Sequence, residues 1–231
     1  MSLKEDLEEF SSSTFSTQWD ERTSKNVPDP ADIRLSNDAV ELTEATVLYT
    51  DLSGSTQLVD TEIWYVAGEI YKTFLYCAAK LIRSNGGTIT SYDGDRVMGI
   101  FVDGTHTSNA AKCALGITYA MEHIVKPAFQ SQYPDLGTNI GHTTGIDCSK
   151  LMAARTGVRG DNDIVWIGRA ANYAAKLTEV KSDYNTLITY EAYSRLNKVS
   201  KFTDSVNMWE KRKWEEHDSS TIYGSNWYWE F

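Results

Sequence analysis

The sequence predicts an α+β fold in which helices pack on one face of a mostly antiparallel sheet and a C-terminal hairpin closes the chain. Stretches with the periods of strands and helices follow one another in the order βα-ββ-αβ, with additions. Two short stretches with strand character flank an Asp93-Gly94 turn, which is a strong signal for a β-hairpin. With 231 residues, of which 41% are hydrophobic, the chain can build one sizeable core.

Residues 1–43 are predicted to be an N-terminal extension of the main domain. Residues 11–17 are rich in hydroxyl side chains, and Val27-Pro28-Asp29-Pro30 interrupts any helix. Residues 45–49 are a run of apolar and β-branched side chains, which predicts a buried strand. The expected domain therefore covers residues 44–231.

The first strand is expected to lead through a turn into a long helix. Residues 51–56 form that turn and end in residues that favour a helix start. From Trp64 to Ser84, apolar residues recur on one helical face. Asn85-Gly86-Gly87 then ends the helix, because glycine readily takes the left-handed conformation of a C-cap.

The remaining elements follow in order along the chain. Strands are predicted over residues 88–92, 96–102, 139–147, 164–166 and 186–189, and helices over about 105–129, 170–180 and a turn that ends near 196. In the tail, residues 207–231, tryptophan and tyrosine alternate with charged residues, which favours a closing hairpin.

Composition excludes several functional classes. The formal net charge of −10 argues against broad nucleic-acid binding and against an anionic membrane surface. No apolar run approaches the roughly 18 residues that span a bilayer, and residues 1–10 lack the pattern of a signal peptide. Cys77, Cys113 and Cys148 are far apart, as expected for small apolar residues in a reduced compartment. A cytoplasmic protein is therefore expected.

Two aspartates lie where strands end. Asp51 follows the first predicted strand, and Asp95 lies in the hairpin turn, so both can meet at one edge of the sheet. Mg²⁺ typically takes one or two carboxylates together with substrate phosphates. The next residues offer backbone N–H groups at a helix start, where phosphate oxygens bind well; they are Leu52, Ser53, Gly54, Ser55 and Thr56. Aspartate is also common in turns, so a purely structural role stays open.

Three segments, Thr46–Thr56, Ser91–Phe101 and Ile167–Leu177, resemble the signature segments of class III nucleotidyl cyclases, the catalytic domain of adenylate and guanylate cyclases. They occur in the family's order, and the resemblance covers residues 44–231. It implies a ferredoxin-like cyclase domain that converts a nucleoside triphosphate into a 3′,5′-cyclic monophosphate and pyrophosphate. It also implies two divalent cations, Mg²⁺ or Mn²⁺, and a homodimer with its active sites at the interface.

The resemblance also implies individual roles. Asp51 and Asp95 match the metal-binding aspartates, and the Leu52 carbonyl matches a backbone metal ligand. Asn172 matches the asparagine that orients the ribose, and Lys176 stands where the family usually has an arginine on the α-phosphate. In the family these two residues come from the other chain of the dimer. Being four apart on a predicted helix, they share one face, which would equally suit solvated side chains.

The residues expected to contact the base depart from the purine-specific pattern. Ser91 stands four before the second metal aspartate, where lysine or glutamate is usual, and Val165 stands seven before the asparagine, where a polar residue is usual. Tyr49 replaces a common phenylalanine, and Trp166 adds bulk nearby. A site that lacks its polar partners loses discrimination. These features resemble the pyrimidine cyclases of bacterial antiphage defence, which make cyclic UMP or cyclic CMP.

Arg96 bears on the choice between the two pyrimidines. Its side chain is a hydrogen-bond donor only, so contact with the base would favour uracil, which presents two carbonyl acceptors. Arg96 could instead be a surface residue of the strand. Lys211-Arg212-Lys213 is the densest basic run and suits either a solvated strand or a contact with the triphosphate.

Rival functions remain compatible with these residues. One is an adenylate cyclase with unusual base contacts, and another is an inactive cyclase-fold protein that binds nucleotide. A diguanylate cyclase is disfavoured because its GG(D/E)EF-type sequence is absent. No fused sensor is apparent, so a separate activator and a separate cyclic-nucleotide effector are expected.

Overall fold

In the computed structural model, which describes residues 2–231, the main feature is a nine-stranded sheet. Its strands are β1 (Asp20–Thr23), β2 (Asp38–Ser53), β3 (Thr88–Asp93), β4 (Arg96–Phe101), β5 (Gly141–Val158), β6 (Asp161–Ile167), β7 (Thr186–Thr189), β10 (Glu210–Trp214) and β11 (Ser220–Ser225). The main path of the sheet runs β10-β11-β7-β5-β2-β4-β3, while β1 lies beside β2 and β6 beside β5. Strands β8 (Phe202–Thr203) and β9 (Val206–Asn207) form a separate pair.

The helices alternate with these strands. They are α1 (Leu3–Ser16), α2 (Ser55–Thr61), α3 (Trp64–Ser84), α4 (His106–Ala120), α5 (Lys126–Gln132), α6 (Arg169–Thr178), α7 (Tyr190–Arg195) and α8 (Lys198–Lys201). A π-helical segment, Met121–Val125, joins α4 to α5, and a single 3-10 turn spans Pro30–Asp32. None of these helices is long and apolar enough to cross a membrane.

The long antiparallel pair β2–β5 forms the centre of the sheet. Its register runs from Ala39 opposite Ala154 to Ser53 opposite Gly141, with one irregularity between Leu42 and Ala45. Most β2 side chains are buried on both faces, including most of those in the run 45–49 that predicted the strand. Among the described strands, β1–β2 and β5–β7 are parallel and the other pairs are antiparallel, so the predicted α+β class is confirmed.

Helices cover both faces of the sheet rather than one. On the first face α3 and α4 pack over Leu48, Leu52 and Ile146, as the sequence predicts for its two long helices. On the opposite face α6 packs over Val47 and Met98. Helix α6 can lie close to the strands because its buried face is made largely of alanine, so the one-face expectation is corrected for this helix.

Several predicted boundaries are confirmed and others shift. The helix over 64–84 and the strand over 186–189 match the prediction, and the tail contains the expected hairpin. Strand β2 begins earlier than predicted and runs through Ser53, so Asp51 lies inside the strand instead of after it. The hairpin turn is Gly94-Asp95 rather than Asp93-Gly94, and Gly94 has a φ of 59°, which glycine adopts without strain.

Part of the N-terminal segment is tied to the sheet. Strand β1 pairs in parallel with the first residues of β2, and Ile33 is buried against Val40 and Ala153. The buried Asp38 accepts a hydrogen bond from the Arg34 backbone N–H at 2.7 Å and also pairs with the guanidinium of Arg22. The residues before β2 are therefore ordered by contacts with the domain.

A buried histidine predicts how folding stability depends on pH. Burial lowers the pKa of His142 to about 3, and the ring lies 3.3 Å from the Thr118 hydroxyl. An unfolded histidine has a pKa of about 6.5, so below that pH the unfolded chain binds a proton that the folded chain does not. We expect His142 to lower the free energy of unfolding by about 2 kcal/mol between pH 7.5 and pH 5.

Urea denaturation of the wild-type chain and of His142→Gln at both pH values measures this effect. The variant should lose less stability in acid than the wild type, whatever its stability at pH 7.5. Equal losses in the two proteins would show that another group causes the acid sensitivity.

Candidate active site

The register of three strands brings the predicted base and metal residues into two neighbouring rows. Tyr49 lies opposite Met98, and Met98 lies opposite Ser91. The next row contains Asp51 opposite Arg96. Directly opposite residues of an antiparallel sheet share a face, and so do residues two apart on a strand. These five side chains therefore line one patch at the end of the sheet, on the face that α6 covers in part.

The two aspartates influence each other. Burial raises the pKa of Asp51, the guanidinium of Arg96 opposes that shift, and the nearby carboxylate of Asp95 adds to it. The Oδ2 atom of Asp95 is buried and has no hydrogen-bond partner in the described part of the chain. Two adjacent carboxylates, one of them without a partner for a buried oxygen, form a donor set that suits a hard divalent cation.

A metal at this position would need ligands beyond side chains. Within residues 2–231 no three His, Cys, Asp or Glu side chains gather in one group that could hold a metal ion. Asp51 and Asp95 would thus supply two carboxylates, and oxygens such as the Leu52 carbonyl and substrate phosphates would complete the shell. This matches the preference of Mg²⁺ for a few carboxylates plus phosphate ligands.

Arg96 connects the aspartate patch to α6. Its Nη2 atom lies 3.2 Å from Asp51 Oδ2 and 3.9 Å from Glu179 Oε1, just beyond the end of the helix. The side chain is about a quarter exposed. Glu179 was not singled out from the sequence, since a charged residue after a helix carries no recognisable pattern.

The turn after β2 approaches α3. Gly54 has a φ of 74° and precedes α2, while the Ser53 hydroxyl lies 3.1 Å from that of Thr143. The Tyr71 hydroxyl donates to the Ser55 carbonyl at 3.4 Å. Burial raises the pKa of Tyr71, the hydrogen bond to Ser55 opposes that shift, and the negative charges of Asp95 and Asp51 add to it. The sequence did not indicate Tyr71, because it adjoins the apolar face of its helix.

The structure does not bring Asn172 and Lys176 to the aspartates of the same chain. Both side chains are exposed on α6 and have no hydrogen-bond partner among the described residues. Glu179 reaches Arg96, but Asn172 lies two helical turns earlier, about 10 Å along the axis. Lys176 instead lines a cavity with Trp214 and His217 of the C-terminal hairpin.

Val165 is likewise remote from the aspartate patch. It pairs with Ala154, which pairs with Ala39 at the opposite end of β2 from Asp51. Ala39 and Asp51 are 12 residues apart on β2, which is about 40 Å of extended chain. Val165 is also 40% exposed, so within one chain it lies apart from the predicted site residues around Asp51.

The position of α6 depends on a glycine. A Cβ atom on Gly145 would lie 2.1 Å from the Ala174 carbonyl oxygen, so the helix backbone rests directly on β5 at this point. At the other end of the helix, Arg169 bonds the buried Asp147 at 3.0 and 3.2 Å. These two contacts fix the distance between α6 and the sheet.

Comparison with known proteins identifies the family. The chain is 46% identical to a uridylate cyclase of Burkholderia cepacia and 45% identical to one of Xanthomonas perforans, each time over 99% of both chains. The chain belongs to the uridylate cyclases. No protein-family model matches it.

Solved structures agree on the fold of this family member. The adenylyl cyclase CyaB from P. aeruginosa superposes with a TM-score of 0.63 at 23% sequence identity, over 81% of this chain and 95% of that chain. The ferredoxin-like cyclase fold predicted from three short segments is thereby confirmed. The full-length relatives named uridylate cyclase show that the protein is a nucleotidyl cyclase.

The basic run Lys211 to Lys213 lies on β10, where its side chains are exposed. Arg212 of this run pairs with Glu210 at 3.0 Å.

The contact at Gly145 yields a testable prediction. Gly145→Ala forces α6 away from β5, and overpacking of this kind costs about 1–3 kcal/mol. We expect a lower melting temperature and reduced turnover. Gly68→Ala in α3 is the matched control, because a Cβ there meets no atom within 4 Å, and it should leave turnover unchanged. Unaltered melting and turnover in Gly145→Ala would contradict the close packing of α6.

Proposed function

We propose that the protein converts UTP into 3′,5′-cyclic UMP and pyrophosphate. The proposal rests on a relative named uridylate cyclase, which is 46% identical to this chain over 99% of both chains. In this proposal residues 44–231 form the catalytic domain and residues 1–43 an extension. Cyclic CMP formation from CTP is the nearest alternative, and an adenylate cyclase with unusual base contacts is the next.

Asp51 and Asp95 would hold two divalent cations, Mg²⁺ or Mn²⁺, with help from the Leu52 carbonyl. When bound, the cations supply activation of the ribose 3′-hydroxyl and stabilisation of the leaving pyrophosphate. The buried Oδ2 of Asp95, which has no hydrogen-bond partner among the described residues, supports this role. Burial raises the pKa of Asp51 although Arg96 opposes the shift, and the neighbouring Asp95 carboxylate adds to it, so a cation shared by the two carboxylates would relieve their repulsion. The N–H groups of residues 53–56 would bind phosphate oxygens.

The active site would form between two copies of the chain. Asp51, Asp95, Tyr49 and Ser91 would come from one copy, and Val165, Asn172 and Lys176 from the other. Support comes from the distance between Val165 and Asp51 along β2 and from the exposure of the Asn172 and Lys176 side chains on α6. Asn172 would orient the ribose, and Lys176 would neutralise charge on the α-phosphate as phosphorus becomes pentavalent.

The pocket wall suits a pyrimidine. Tyr49 and Ser91 flank the buried Met98 in one row of the sheet, so the wall offers two hydroxyls. Ser91 stands where the family resemblance implies a lysine or a glutamate in purine-specific enzymes. Arg96 in the next row can only donate, and uracil presents two carbonyl acceptors. Arg96 shares the Asp51 carboxylate that would hold the cations, so its guanidinium would be free to donate to the base once that carboxylate is engaged.

The cellular role in this proposal is antiphage signalling in the cytoplasm, with cyclic UMP acting on a separate effector protein. The net charge of −10 and the absence of a membrane-crossing helix among residues 2–231 are compatible with such a setting. Neither nucleic acid nor a membrane is a proposed partner.

A substrate panel tests the reaction. Purified protein is incubated separately with UTP, CTP, ATP and GTP in the presence of Mn²⁺ or Mg²⁺, and the products are identified by mass. We expect cyclic UMP from UTP and at least about tenfold less product from the other nucleotides, a difference of about 1.4 kcal/mol in transition-state binding. Cyclic AMP as the main product would overturn the base assignment but leave the fold and the metal site intact.

Mixing two inactive variants tests the shared site. Asp51→Ala and Asn172→Ala should each reduce turnover to background, because one removes the metal-binding half and the other the ribose-binding half. A mixture should recover up to about a quarter of wild-type specific activity, as half of randomly assorted dimers have one intact site. Subunit exchange is verified with differently tagged chains. A mixture that exchanges subunits and stays inactive would rule out the interface site.

A further inference from the structure

Helix α1 stands apart from the rest of the chain. None of its residues, Leu3–Ser16, is buried, and the exposed fractions of Leu3, Leu7 and Phe10 are 75%, 55% and 65%. Its C-terminal end is held by the Asn37 side-chain amide, which donates to the carbonyls of Thr14 at 2.8 Å and Thr17 at 2.7 Å. The helix is thus anchored at one end with its apolar residues uncovered.

A helix of this kind needs a packing partner. The capping box between Ser2 and Glu5 stabilises the first turn. Isolated helices of fewer than about 12–15 residues are nevertheless marginal in water, and most helical stability in proteins comes from burying an apolar face. With 14 residues and no buried side chain, α1 lacks that contribution within its own chain.

Three apolar residues of α1 have the spacing of a coiled-coil seam. Leu3, Leu7 and Phe10 are separated by four and three residues, which places them at successive d, a and d positions of a heptad. The polar Thr14 occupies the next a position, and the remaining large apolar residue, Phe15, lies outside the seam. Such a narrow stripe fits one neighbouring helix better than a broad surface.

The charges of α1 do not prevent a second copy of the same helix from packing against its seam. Glu5, Glu8 and Glu9 fall at f, b and c positions, which face away from the seam, so two copies can approach without direct repulsion. Asp6, at a g position, would face the neutral Ser11 of a parallel copy. The excess of acidic residues on the polar face disfavours an anionic membrane as the surface that covers the seam.

We propose that α1 pairs with α1 of a second copy as a short parallel coiled coil that braces the dimer. The pairing rests on the homodimer of the proposed function. Two heptads are too short to associate strongly alone, but the catalytic domains hold the two helices at a high effective concentration. Parallel pairing stacks Leu3, Leu7 and Phe10 on their own copies, whereas antiparallel pairing would place Leu3 opposite Thr14.

Disulfide trapping tests the pairing and its orientation. Phe10→Cys places a thiol at a central d position, and Phe15→Cys is the matched control, since Phe15 is 91% exposed on the same helix but outside the seam. Under mild oxidation we expect Phe10→Cys to form a covalent dimer on a non-reducing gel. Phe15→Cys and the wild-type chain, with its three native free cysteines, should remain mostly monomeric on that gel.

Dimer dissociation measured by analytical ultracentrifugation tests the energetic role. Phe10→Asp should raise the dissociation constant at least about tenfold, while Phe15→Asp should leave it unchanged. Equal cross-linking at positions 10 and 15, or equal dissociation constants for the two aspartate variants, would overturn the pairing of α1. If the wild type dimerises and mixed variants regain turnover, that failure leaves the shared active site standing. A wild-type chain that stays monomeric would overturn both.

Discussion

The antiparallel ladder between β2 and β5 is the constraint on which the other features depend. Its register places the carboxylate of Asp51 at one end of β2 and directs β6, with Val165, to the other. Because the register of a long ladder is strongly specified when its side chains are buried, Val165 cannot move toward Asp51 within one chain. Their separation is therefore a property of strand pairing rather than of flexible loops.

The charges around the two aspartates and α6 bear on how an anionic nucleotide could bind. An acidic chain binds an anionic nucleotide only if local charges reverse the overall repulsion. Asp51 and Asp95 concentrate negative charge at one edge, where cations can gather, while Lys176 supplies positive charge on the exposed side of α6. Arg96 lies between these regions and pairs with both Asp51 and Glu179, which keeps the patch compact before nucleotide arrives.

Helix α6 is the part of the fold that sequence patterns described least well. Its position and length were predicted closely, but its packing on the opposite face from α3 and α4 was not. An alanine-rich helix face matches either side of a sheet, and Gly145 opposes it from a strand 24 residues earlier, beyond the reach of any periodicity. Tyr71 and Glu179 escaped notice for the same reason, because their neighbours at the site come from other elements.

The sequence by itself determined most of the strands and helices, the place of the hairpin to within one residue, the family and the meeting of Asp51 and Asp95 at one sheet edge, since each depends on local periodicity or on short motifs. Tertiary structure alone decided the remaining contacts. The pairing of Arg96 with Asp51, the remoteness of Val165 and the exposure of α1 all follow from strand register and packing between distant segments. Contacts of that kind depend on the whole folded chain, which no local pattern records.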